Sequence, residues 1–236
     1  MATVRRRRSK GQSRKGRYVL IALIVIVGAA IGWYAFSSSQ TTTSTAGLQN
    51  VSTSSQTTTS SATNGAVSSA TGLVYAKIAT NMGDMEVELY PNSAPKTVAN
   101  FVSLAKSGFY DNLVWHRIVK GFVIQTGDPN TRNGGGDKSL WGTGGSPNTV
   151  PLEIDRSLHN DVGYLGMARS QDPNSGSSQF YISLTNNAPL DGQYTVFGKV
   201  ISGMDVALKI GNVPVDSASQ PISNVFVTSI TIQDSP

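Results

Sequence analysis

From residue 73 onward, apolar and polar positions follow two periods. Met85, Val87 and Leu89 alternate with Glu86 and Glu88, the period of a half-buried strand. A partner strand over 73–80 is predicted across a turn at Asn81-Met82-Gly83. Pro95 then opens a segment with Val98, Phe101, Val102 and Ala105 on one helical face, and Gly108 is placed to end it. Further strands are predicted at 113–118, 122–126, 163–168, 180–184, 195–200 and 225–232, with a short helix at 204–210. Many short strands with two helices indicate a mainly β barrel or sandwich.

The preceding residues are patterned differently. Residues 18–36 are an uncharged, largely apolar run. As a helix it would span roughly 28 Å, about the thickness of bilayer hydrocarbon, and Trp33 and Tyr34 near its end suit the interface. Eight Lys and Arg residues crowd into positions 1–17, so that tail is expected to stay cytoplasmic and the rest of the chain to lie outside the membrane. The competing reading is a cleaved signal peptide, for which Ala35-Phe36-Ser37 offers small residues at a cleavage site. The length of the apolar run favours an uncleaved anchor. Residues 37–72 contain 21 Ser and Thr among 36, too little apolar area to offset ordering entropy. A disordered tether is therefore expected, its ends roughly 30–36 Å apart. Asn50-Val51-Ser52 is an N-glycosylation acceptor pattern. Domain boundaries are thus expected at 1–17, 18–36, 37–72 and 73–236.

Charge changes the picture once the tail is set aside. Residues 73–236 hold 11 basic and 14 acidic residues, a net charge of −3, which argues against a nucleic-acid partner. The chain has no cysteine, which excludes disulfides, thiolate metal sites and thiol nucleophiles. Two histidines, His116 and His159, form no metal-ligand cluster with carboxylates at ligand spacing. The glycine-rich stretch 134–145 lacks the ending of a phosphate loop, and no nucleophile-elbow pattern surrounds any serine. Neither proton transfer nor a covalent intermediate is indicated.

The informative string is Trp115-His116-Arg117-Ile118-Val119-Lys120-Gly121-Phe122-Val123-Ile124-Gln125-Thr126-Gly127-Asp128-Pro129. It resembles the signature of the cyclophilin family of prolyl isomerases. The resemblance continues in order through Ala94-Pro95-Lys96-Thr97-Val98-Ala99-Asn100-Phe101, then Gly163 to Ser170, Gly176 to Ile182, and Leu190 to Val200, about 160 residues in all. It implies a closed eight-stranded antiparallel barrel capped by two helices, with a substrate groove on the outer face. It implies peptidyl-prolyl cis-trans isomerase activity on proline-containing polypeptides, with no cofactor and no metal. By match to the motifs, the catalytic set is Arg117, Phe122 and Gln125: the guanidinium, a wall of the proline pocket, and the polar neighbour of the arginine. Val123 falls on the same wall, and Ala168, Arg169, Gln179, Tyr181, Leu190 and Tyr194 fall on groove positions. His116 is grouped with these substrate-side residues, as a structural imidazole rather than an acid or base.

Three departures qualify the resemblance. Tyr181 stands where many members have Phe, and Gln171-Asp172-Pro173-Asn174 is a length variant. Pro189 stands where eukaryotic members carry the tryptophan that contacts cyclosporin, so weak cyclosporin binding is expected. Together with the membrane anchor, the family points to assistance in folding extracytoplasmic proteins. A non-catalytic module that grips proline segments as a chaperone or scaffold is the alternative, and retention of Arg117, Phe122 and Gln125 favours the enzyme.

Overall fold

The computed structural model describes residues 72–236. The basic tail, the apolar run and nearly all of the Ser/Thr-rich stretch lie outside the described residues. Among the described residues, no helix is long and apolar enough to cross a membrane.

Nine strands form one sheet of antiparallel pairs. They are β1 (Val74–Thr80), β2 (Gly83–Leu89), β3 (Leu113–Val114), β4 (Arg117–Val119), β5 (Val123–Thr126), β6 (Tyr164–Met167), β7 (Phe180–Ser183), β8 (Val196–Ser202) and β9 (Phe226–Gln233). Their spatial order is β3-β9-β1-β2-β8-β6-β7-β5-β4. The alternation read in residues 85–89 places Met85, Val87 and Leu89 in the core, with Glu86 and Glu88 facing out.

The closed eight-stranded barrel needs correction. Residues 113–118 do not form one strand. Leu113 and Val114 pair with Val227 and Phe226, whereas Arg117 to Val119 pair with Gln125 to Val123. Trp115 and His116, both buried, carry the chain from one partner to the other. The two edges of the curled sheet are therefore successive pieces of one segment. They meet through two residues of covalent chain, with no hydrogen-bonded ladder between them.

Helix α1 (Pro95–Lys106) buries Val98, Phe101 and Ala105 against the sheet, as its 3.6-residue period requires. It has no local side-chain cap. The carboxylate of Glu153 accepts instead from the N–H groups of Lys96 (3.0 Å) and Thr97 (2.8 Å), satisfying two orphan donors and opposing the helix dipole. Gly108, one residue past the C-cap, adopts φ 69°, the left-handed conformation that ends helices. Phe101 meets Tyr110, Phe180 and Phe197 at ring-centroid distances of 5.3–5.4 Å, and Trp115 packs edge-on to Phe180. This cluster fills the inside of the sheet. Helix α2 (Met204–Ile210) buries Val206, Ala207 and Ile210.

Candidate active site

Strand alternation sends one set of side chains inward and the other to the opposite face of the sheet. In β5, Ile124 and Thr126 join the interior, while Val123 and Gln125 face the other way yet are equally buried. Something must cover them from outside. The register supplies it. Arg117 in β4 pairs with Gln125 in β5, Gln125 with Tyr181 in β7, and Tyr181 with Gly166 in β6. Four strands thus place four consecutive members of one row on the same outer face. Gly166 is required there, because a Cβ at that position would overlap the Tyr181 ring.

Over this row lies a concavity of about 340 Å³, lined by Arg117, Phe122, Val123, Gln125, Ala168, Arg169, Tyr181, Leu190 and Tyr194. The floor is apolar and aromatic, and the arginine stands at one side. Gln179 lines an adjoining polar concavity of about 550 Å³, which Gln125, Ala168 and Arg169 share. Ten of the eleven residues singled out by sequence therefore border one continuous groove.

The exception is His116. Only 3 % exposed, it lines neither concavity. Its imidazole lies beside the glycine loop, 3.6 Å from where a Cβ on Gly142 would sit. Neither ring nitrogen makes a hydrogen bond of ordinary geometry. Desolvation lowers its pKa to about 4, against the opposing pull of Asp128, so the imidazole is neutral at pH 7.

Arg117 is half-buried. Burial pulls its pKa below the ordinary arginine value, with Tyr194 opposing, and a guanidinium stays charged regardless. No carboxylate pairs with it among the described residues. Its neighbours are the Oε1 of Gln125 at 3.4 Å and the Phe122 ring, 6.0 Å from the guanidinium carbon to the centroid.

The orientation of Gln125 is set from a distance. Gln179 Nε2 donates to the carbonyls of Gly142 (3.0 Å) and Gly144 (2.6 Å), so its Oε1 must face the other way. There it accepts from Gln125 Nε2 at 2.8 Å, which turns the Gln125 oxygen toward Arg117. The glycine loop is itself pinned by Asp128, whose buried carboxylate accepts from the N–H groups of Gly142 and Gly144. Asp128 lies within the string read from sequence, but its role was not legible there.

Arg169 has little left for a ligand. Its Nε and Nη2 both donate to the Gln193 carbonyl at 3.0 Å, its Nη1 to the Ser170 carbonyl at 2.9 Å, and its guanidinium stacks 4.7 Å over the Tyr194 ring. It holds two groove loops together. Tyr181 is 4 % exposed and meets Tyr194 edge-on at 6.0 Å. Burial raises its pKa, so the phenol stays neutral. His159, to which sequence assigned no role, is exposed and bonds Asp191 at 2.9 Å. The Ser, Gly and amide groups of the site offer no metal set, and no cluster of His, Asp and Glu suited to a metal occurs among the described residues.

Comparison with known proteins gives this geometry its context. The family model for cyclophilin type peptidyl-prolyl cis-trans isomerase/CLD matches residues 75–232. A peptidyl-prolyl cis-trans isomerase of Arabidopsis thaliana is 40% identical over 156 residues, covering 66% of this chain and 91% of that protein. One of Rhizopus delemar is 39% identical over 158 residues, covering 67% of this chain. The chain spans only 24% of that longer relative. Among solved structures, a cyclophilin type isomerase of Cryptosporidium parvum aligns with a TM-score of 0.63 and 34% identity, covering 70% of this chain and 99% of that one. The same protein has been solved in the presence of the dipeptide Ala-Pro. An apolar groove with an arginine at its side, inside a matched span of this extent, places the chain in the cyclophilin-type peptidyl-prolyl cis-trans isomerase family.

Proposed function

We propose that this chain catalyses rotation about Xaa-Pro peptide bonds, with Arg117 stabilising the twisted transition state and Phe122 and Val123 holding the proline ring. Amide resonance sets a barrier of about 18–20 kcal/mol. Twisting the bond breaks conjugation and returns a lone pair to the proline nitrogen. A guanidinium that donates to that nitrogen binds the twisted state and not the planar one, which is the differential binding that accelerates a reaction. The observation that carries this reading is the state of Arg117: charged, half-buried, beside an apolar pocket, with an amide and no carboxylate for company.

The magnitudes are compatible. A ten-thousand-fold acceleration requires about 5.4 kcal/mol. One charge-assisted hydrogen bond contributes roughly 1.5–3 kcal/mol, and a pocket that excludes water strengthens it and anchors one side of the rotor. Gln125, oriented through Gln179, keeps the guanidinium in place without neutralising it. Proline-containing polypeptides are the substrate class, in keeping with the Ala-Pro dipeptide used with the Cryptosporidium parvum relative.

Location completes the reading. The basic tail and apolar run support a single span with the N-terminus cytoplasmic and the catalytic domain outside, assisting the folding of extracytoplasmic proteins. Protease added to intact cells should then remove the domain, and full protection of the domain would refute this orientation.

Catalysis is tested on Arg117→Ala in the full chain. Isomerisation of an Ala-Pro peptide should fall roughly 10²–10³-fold, while peptide affinity and melting temperature change little. Arg117→Lys should recover part of the rate, because one ammonium cannot reproduce the planar fork. A lowered melting temperature with an unchanged rate per folded molecule would make the arginine structural and sink the proposal.

A further inference from the structure

The groove's strand-borne floor and one of its walls have no ladder between them. The floor is Tyr181 on β7, and that wall is the loop that carries Leu190 and Tyr194. Tyr181 is buried, and its hydroxyl needs a partner that the phenylalanine common at this position would not. It finds one in Asn160, whose Oδ1 accepts from Tyr181 Oη at 2.6 Å.

Asn160 belongs to no regular element and is 1 % exposed, yet nearly every polar atom it has is engaged. Its backbone N–H (2.7 Å) and its Nδ2 (3.0 Å) both donate to Oδ1 of Asp191. Its carbonyl accepts from the N–H of Asn187 at 2.9 Å. Asn187 in turn donates its side-chain amide to the Phe122 carbonyl at 3.1 Å. Asp191 immediately follows Leu190, and its other oxygen meets His159. Burial pushes the Asp191 carboxyl up, but the bonds from Asn160 and His159 outweigh this and leave it below the usual range.

The geometry points to Asn160 as a positioning residue that fastens the floor of the proline groove to its Leu190–Tyr194 wall, with Asp191 as its counterpart on the wall. Asn160 lines neither concavity, so it acts only through the residues it holds. With the bonds in place, Tyr181 and Asp191, the neighbour of Leu190, are referred to the Asn160 side chain, and Phe122 is tied through Asn187 to its backbone carbonyl. Without them, the loop and the ring can shift independently, and the pocket loses its fit to a five-membered ring. The inference rests on the groove being the proline site.

The test uses the full chain, a short Ala-Pro peptide, and two readouts taken well below each variant's melting temperature: peptide affinity by NMR titration, and isomerisation by exchange NMR. Asn160→Ala should weaken peptide binding about five- to tenfold, through the loss of its side-chain hydrogen bonds to Tyr181 and Asp191. Tyr181→Phe should weaken it a few-fold. The double variant should be no weaker than Asn160→Ala, because both remove the same bond. Asp191→Asn, which keeps an oxygen at the accepting position, should retain affinity within about twofold, whereas Asp191→Ala should behave like Asn160→Ala. Losses that add in the double variant, or native affinity in Asn160→Ala, would overturn the inference. Should Asn160→Ala not fold, equal affinities in Asp191→Ala and Asp191→Asn would overturn it. Failure of the catalytic reading is distinguishable: wild-type chain that binds the peptide without turning it over leaves the affinity comparison intact.

Discussion

Acidification should destabilise this protein through one histidine. His116 is buried, with neither ring nitrogen in a hydrogen bond of ordinary geometry, and its pKa is lowered from 6.5 to about 4, chiefly by desolvation. The unfolded chain therefore binds a proton that the folded chain refuses. For a base with a depressed folded pKa, stability is full above about pH 6.5 and is lost as pH falls toward 4. At about 1.36 kcal/mol per unit, the whole window is worth about 3 kcal/mol, or roughly 6–12 °C of melting temperature in a domain of this size. Other groups should not imitate it. The Asp155 carboxyl, held near 2 by bonds from Ser157 and Ser93, loses its contribution only below the ordinary carboxylate range. His159 is raised by Asp191, so its contribution has the opposite sign, present at low pH and lost as pH rises. Urea unfolding at intervals from pH 7 to pH 4.5 measures the slope, and the same series on His116→Gln isolates its source. The variant will have its own baseline stability, but its slope should be flat or slightly reversed. An unchanged slope in His116→Gln would refute the assignment.

Two further outcomes follow from the site. Gln179→Leu removes the amide that orients Gln125, so isomerisation should drop about three- to thirtyfold with peptide affinity nearly kept, measured by exchange NMR and titration; equal losses in both would mean that Gln179 contacts the peptide directly. Cyclosporin should bind weakly because exposed Pro189, whose carbonyl accepts from Gln193, offers no indole: losing such an anchor typically costs at least about 2 kcal/mol, and calorimetry should show Pro189→Trp regaining affinity, while nanomolar binding by the native chain would contradict this.

Much of the fold was legible because burial imposes short periods on sequence. The alternation over 83–89 and the helical spacing from Pro95 both mark a face that must leave water, and the structure puts those faces in the core. The short helix expected at 204–210 forms as Met204–Ile210, with Val206, Ala207 and Ile210 buried. The break within 113–118 was not legible, since Trp115 and His116 are as buried as a continuous strand would make them. The interruption is a change of partner, and a single segment carries no mark of its partner.

The site divides along the same line. Side-chain chemistry at Arg117, Phe122, Val123 and Gln125 was readable because these residues lie within one short string. Asp191 falls within the last matched string and Asn160 in none, but neither showed its role, which exists only where distant loops touch Tyr181 and Leu190. By itself the sequence determined which residues alternate, which helix faces are apolar, where charge gathers, and the motif that names the family. Only the tertiary structure decided that β5 lies beside β7 and β7 beside β6, bringing Arg117, Gln125, Tyr181 and Gly166 into one row. The physical reason is that local periodicity fixes the face on which a side chain emerges, whereas register between strands far apart in the chain is fixed by hydrogen bonding and packing summed over the whole sheet.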